Sequence, residues 1–162
     1  MFFDAIQPSI SKLRENILRQ FPLEPVPDKE DIIFHECEKC SRLCNDFALK
    51  RWIDVPQEVI DYNNTSLPLF TPLAHRCYLP AYLLRTLEPE GERWGTTVDF
   101  VIYDLSPADA ERWKEKFEIF SSDQLHVVAS WFALVLEHNR LFDGDTAESQ
   151  RGFKQFWAGY VA

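Results

Sequence analysis

The stretch that most constrains this chain is Ser66 to Leu87, SLPLFTPLAHRCYLPAYLLRTL, where dense apolar side chains are interleaved with three prolines. Thr71-Pro72 is a helix start: a threonine hydroxyl accepts from free backbone N–H groups, and a proline in the first turn gives up an N–H that has no intrahelical partner there. Leu73, Cys77, Leu84 and Leu87 then recur near one face at helical spacing. Pro80 lies inside this pattern, lacks an N–H for the Arg76 carbonyl and crowds it, so the sequence predicts a kink or a restart at Leu79-Pro80. A carbonyl freed in this way is open to a water, a side chain or a ligand, which makes Tyr78 and Tyr82, with His75, a candidate binding notch. A kinked core helix is the plainer alternative.

The flanking segments read as further helices. Ile6, Ile10, Leu13, Ile17 and Phe21 recur at spacings of four, three, four and four, until Pro22, Pro25 and Pro27 stop the pattern and begin a short, stiff surface connection. Pro56 opens a short helix through Tyr62. Ser106-Pro107 with Asp109 and Glu111 is a start signal for a helix carrying Trp113, Phe117 and Phe120. Another begins near Ser122-Asp123 and is apolar nearly all round, which places it in the centre of the fold. Asp145 with Glu148 resembles a capping box for a last helix with Phe153, Phe156, Trp157 and Tyr160 as its buried stripe. Thr96 to Leu105, TTVDFVIYDL, fits both a strand and a helical face. The expected fold is all-α, one helical domain over 1–162 with six or seven helices, a short strand pair around 97–105 being the open alternative.

Thirteen Phe and five Trp in 162 residues supply enough large apolar surface for a core without staples. A net charge of −9 argues against a nucleic-acid surface, which needs clustered Lys and Arg, and favours a basic protein partner. Nine carboxylates against four cations between Glu88 and Glu118 make that segment the candidate docking face, with Glu111, Glu115 and Glu118 as its partner-binding residues. The N-terminus MFFDAIQPSI lacks the basic flank and cleavage site of a secretory signal, and no apolar run is long enough to span a bilayer. A cytoplasmic protein is expected, with its four cysteines as thiols or ligands.

The chemically richest cluster is His35-x-Cys37-x-x-Cys40-x-x-x-Cys44. Zinc takes four tetrahedral nitrogen or sulfur ligands, so His35, Cys37, Cys40 and Cys44 are the candidate metal ligands, with His75 and Cys77 available from the central stretch. A second Cys-x-x-Cys or His-x3-His pair is missing, and Cys37, Cys40, Cys44 and Phe47 on one helix face also describe a small core stripe. Redox chemistry is weaker still in a chain with no βαβ pattern. No catalytic residue stands out.

His35-Glu36-Cys37-Glu38-Lys39-Cys40, Arg51-Trp52, the run from Leu67 to Pro72 and Tyr78-Leu79-Pro80-Ala81-Tyr82-Leu83, in that order, resemble the signatures of a family of small bacterial proteins that carry a domain of unknown function. The resemblance covers the middle of the chain and implies no activity. It also implies bulkier aromatic residues at His75-Arg76-Cys77, so a site built on His75 or Cys77 would be peculiar to this chain.

Two function classes follow. One is a non-catalytic interaction module, an acidic immunity-like or antitoxin-like inhibitor of a basic partner, with no cofactor. The other is a small zinc-binding protein or metal-dependent enzyme using His35, Cys37 and Cys40. If the first holds, association with a basic protein is expected to slow as salt rises, and lysine at positions 111, 115 and 118 is expected to lower the on-rate while leaving the thermal midpoint nearly unchanged. Stopped-flow association at several ionic strengths checks this.

Overall fold

Helix formation follows the apolar spacing of the chain. The computed structural model describes residues 2–89, 96–143 and 146–161. In order, its helices are Phe2–Ala5 (α1), Gln7–Gln20 (α2), Glu38–Phe47 (α3), Gln57–Tyr62 (α4) and Pro72–Thr86 (α5), then Thr96–Leu105 (α6), Ala110–Phe117 (α7), Ser122–Glu137 (α8), Asn139–Phe142 (α9) and Ala147–Gly152 (α10). The last continues into a π turn, Phe153–Trp157, and a 3-10 turn, Ala158–Tyr160. Among the described residues there is no strand, and an antiparallel bridge pairs Ile33 with Phe70. Thr96–Leu105 is therefore helical: Val98, Val101, Ile102 and Leu105 line its buried side, and the strand alternative for 97–105 falls away. No helix among the described residues is long and apolar enough to cross a membrane.

The predicted start of α5 is present. Thr71 Oγ1 accepts from the Ala74 N–H at 3.2 Å, and Pro72 occupies the first turn. The predicted restart is not, because α5 runs unbroken through Pro80. A proline in a helix interior costs about 3 kcal/mol, whereas fully burying one leucine or aromatic side chain contributes about 1.5–3 kcal/mol. Leu79, Tyr82 and Leu83 around it are all fully buried, so packing outweighs the lost hydrogen bond.

α5 packs against α2, α4, α6 and α7, and is buried on nearly every side. α8, started by the reciprocal Ser121–Gln124 capping box, packs against α2 and the C-terminal turns. The Trp131 indole N–H donates to Thr86 Oγ1 at 2.9 Å and joins α8 to α5. The cap of α10 corrects the sequence reading. Thr146 and Ser149 make the box, Glu148 pairs instead with Arg151 at 2.5 Å, and Asp145 lies outside the described residues.

The same packing removes the proposed notch. Tyr78 and Tyr82 are both 0% exposed. The Tyr78 hydroxyl donates to the Phe47 carbonyl at 2.7 Å, with the Lys50 carbonyl 2.9 Å away, and the Tyr82 hydroxyl donates to the Asn63 carbonyl at 2.8 Å. Neither tyrosine reaches a surface that a partner could touch. Their rings instead surround Phe47, whose centroid lies 4.9 Å from Tyr78, 5.1 Å from Phe70 and 6.4 Å from Tyr82. Because Phe47 joins α3 to α5, Phe47→Ala is expected to lower unfolding stability by about 3–5 kcal/mol, measured by urea denaturation.

Candidate functional site

The segment before α3 is fixed from both ends. Ile32 is fully buried, its carbonyl accepts the Thr71 N–H at 2.9 Å, and the Asp31 carbonyl accepts the Thr71 hydroxyl. This anchors the chain to the start of α5 and leaves Phe34 and His35 at the surface, Phe34 at 74% exposure. Two residues later Cys37, with extended backbone, is the N-cap of α3. A cysteine suits that position because its sulfur accepts from a free backbone N–H at a helix N-terminus, where the dipole favours negative charge.

Cys37 Sγ accepts the Cys40 N–H at 3.1 Å, and Cys40 Sγ lies 3.6 Å from His35 Nε2. The His35 ring and both sulfurs place one ligand atom each within 4.8 Å of the others. Tetrahedral ligands at zinc distances of ~2.3 Å for sulfur and ~2.0 Å for nitrogen stand roughly 3.5–3.8 Å apart. The His35–Cys40 separation already matches that spacing, and the remaining ligand-atom separations are at most 4.8 Å.

Two of the sequence expectations are corrected here. Cys37 caps α3 and stands exposed, apart from the buried face that Cys40, Cys44 and Phe47 share. Cys44 falls outside the cluster of His35, Cys37 and Cys40: it lies one helical turn further on and its thiol donates to the Lys29 carbonyl at 3.7 Å. Cys77, half-buried on α5, is also outside it, and burial pushes its thiol up to about 12. The two sulfurs of the cluster differ from each other. Hydrogen bonds from the Cys40 thiol and N–H hold the Cys37 thiol below the ordinary range. Its role as donor to Cys37, together with burial, pushes the Cys40 thiol up to about 11.

The acidic segment is less uniform than its composition. Glu111, Glu115 and Glu118 are exposed as expected, and none forms an ion pair among the described residues. Arg112 and Lys114 lie among them on the same surface, however, and Glu88 is engaged by Arg14 at 3.1 Å. Glu90, Glu92 and Arg93 fall outside the described residues.

Asp104, counted by composition as a surface charge, is 2% exposed. Its carboxylate accepts from His75 Nε2 at 2.6 Å and from Lys116 Nζ at 2.7 Å, tying α5, α6 and α7 together. Asp104 and Lys116 also line a cleft of about 530 Å³ whose walls include Phe34, Tyr103, Arg112 and Glu115. Sequence reasoning missed this network because His75 and Lys116 stand 29 and 12 residues from Asp104. The available signal was Asp104 itself, a charged residue three positions after Val101 on the buried side of α6, where Thr97 is the other polar member.

No family model matches the chain, and no curated protein or solved structure matches it either.

Burial drives the Asp104 carboxyl upward, but the charges and hydrogen bonds of His75 and Lys116 outweigh it and hold the group below its ordinary value of 3.8. A carboxylate depressed in the folded state stabilises the fold fully above the unfolded value and loses that contribution as pH falls through the lower folded value. Asp104→Asn is expected to cost about 3 kcal/mol at pH 7, the low end for a broken buried pair because Lys116 keeps partial access to water. The difference from the parent chain is expected to shrink below the ordinary carboxylate value, as checked by urea unfolding across an acid pH series.

Proposed function

We propose that this chain is a metal-binding protein that holds one thiophilic divalent ion, zinc in the first instance, through His35 Nε2, Cys37 Sγ and Cys40 Sγ. The observation that supports it is the convergence of these three donors within 4.8 Å, with a His–Cys spacing of 3.6 Å. Two sulfurs and an imidazole suit zinc better than magnesium or calcium, which take oxygen ligands. Three protein ligands leave a fourth position for water or a further ligand, as catalytic zinc sites do. A zinc-bound water there would be acidified toward neutrality and would serve a metal-dependent hydrolytic or lyase activity. The free thiols fit a reducing, cytoplasmic setting.

The interaction-module reading keeps one supporting observation, the three unpaired carboxylates at Glu111, Glu115 and Glu118. Arg112 and Lys114 break that surface into mixed charge, and the buried tyrosines remove its aromatic anchors. A basic protein remains the partner that the net charge of −9 favours.

Cobalt titration of the reduced protein tests the metal reading, because thiolate-to-cobalt charge transfer reports sulfur ligation directly. About one ion per chain is expected, displaced by zinc and bound in the tetrahedral geometry that such ligands impose. His35→Ala, Cys37→Ser and Cys40→Ser are each expected to lose the charge-transfer band, while Cys44→Ser and Cys77→Ser retain it. Reduced protein that takes up no ion, or a Cys44 variant that fails as completely as a Cys40 variant, would overturn the assignment.

A further inference from the structure

Several features of the molecule are fully occupied by the fold itself. The Asp61–Arg85 pair is buried and bonded on both carboxylate oxygens, at 2.9 and 2.7 Å. Asp104 is likewise saturated by His75 and Lys116. The Cys37–Cys40 pair is different, because it presents one accessible sulfur and one concealed sulfur side by side.

We propose that Cys37 and Cys40 form a redox-active dithiol that exchanges with disulfides, an activity separate from metal binding and independent of His35. Cys37 Sγ is exposed at the cap of a ten-residue helix, where the Cys40 N–H, 3.1 Å away, points at it. It is placed to attack. Cys40 is 0% exposed and its sulfur lies within 4.8 Å of Cys37 Sγ, so no co-reactant reaches it while Cys37 remains within closing distance. It is placed to resolve. A disulfide needs ~2.04 Å between sulfurs, and the two sulfurs start within 4.8 Å of each other, with Cys37 on the exposed side of the cap.

The co-reactant is a disulfide of a small thiol or of an exposed protein loop. Cys37 gives up its proton to solvent and attacks one sulfur of that disulfide; the co-reactant's S–S bond breaks, a mixed disulfide forms, and the departing thiolate takes up a proton. Cys40 then gives up its proton and attacks the Cys37 sulfur. The mixed disulfide breaks, the Cys37–Cys40 bond forms, and the second thiolate leaves and is protonated. In balance, the protein dithiol loses two electrons and two protons and the co-reactant disulfide becomes two thiols. Because both chemistries draw on the same two sulfurs, the oxidised form has no thiolate left for a metal, and oxidation releases a bound ion.

The test uses the full chain, reduced, freed of metal and incubated with oxidised glutathione over a range of glutathione ratios, followed by alkylation and peptide mapping. The expected product is a Cys37–Cys40 crosslink with Cys44 and Cys77 alkylated. Cys40→Ser is expected to stop at a mixed disulfide with glutathione on Cys37, and Cys37→Ser to lose exchange. His35→Ala is expected to lose cobalt binding while keeping exchange, so a failed metal site and a failed dithiol give different results. Circular dichroism of each variant identifies any that does not fold, and mapping of the parent chain needs no variant. A crosslink between other cysteines, no crosslink at any ratio, or glutathione accumulating on Cys44 or Cys77 would overturn the proposal.

Discussion

A helix buried on nearly every side needs partners for the polar groups it carries, and at α5 those partners, found for His75 Nε2, Tyr78, Tyr82 and Arg85 but not for the buried His75 Nδ1, arrange the rest of this protein. His75 is met by Asp104 of α6, which is met in turn by Lys116 of α7. The hydroxyls of Tyr78 and Tyr82 are met by carbonyls at the end of α3 and after α4, and Arg85 by Asp61 of α4. Each contact is also a distance constraint between two elements. A buried donor left without its acceptor costs about 1–3 kcal/mol, so a neighbour that slipped out of register would lose several such contacts together.

The surface cluster at His35, Cys37 and Cys40 is governed by a different balance. Its members are held by local geometry: an N-cap, one turn of α3 and a connection pinned at Ile32. Local geometry brings such side chains together with little help from the core, so a cluster of this kind can stand at the edge of the molecule. The asymmetry between its sulfurs has the same origin. The cap position leaves Cys37 in water, and three residues further the helix has already turned Cys40 inward.

Much of the fold was legible in the sequence because periodicity reports local geometry. The amphipathic pattern from Ile6 to Phe21, the Thr71-Pro72 start and the all-round apolar α8 each correspond to an element. What composition and spacing misjudged were effects settled by neighbours distant in the chain. Pro80 pointed to a kink or a restart because its cost is local; the restart does not occur, and the burial that offsets the lost hydrogen bond comes from four other helices. Asp104 looked like one more surface carboxylate because the groups that hydrogen-bond it, His75 and Lys116, arrive from other segments. The candidate site was legible in part: His35, Cys37 and Cys40 lie within one short segment, whereas the exclusion of Cys44 depended on the Lys29 carbonyl and the cap at Cys37.

The connection that ends in His35 is tied through Asp31 and Ile32 to the residue that caps α5. A ligand that binds the folded arrangement and not a frayed one stabilises it by mass action, and the coupling is reciprocal. A ligand bound at this cluster would therefore share its free energy with the first turn of the most buried helix. Fraying at Thr71 would loosen a histidine it never touches, and capture at that histidine would steady Thr71. Through this tie, a three-residue cluster at the edge of the fold is thermodynamically continuous with the centre of the molecule.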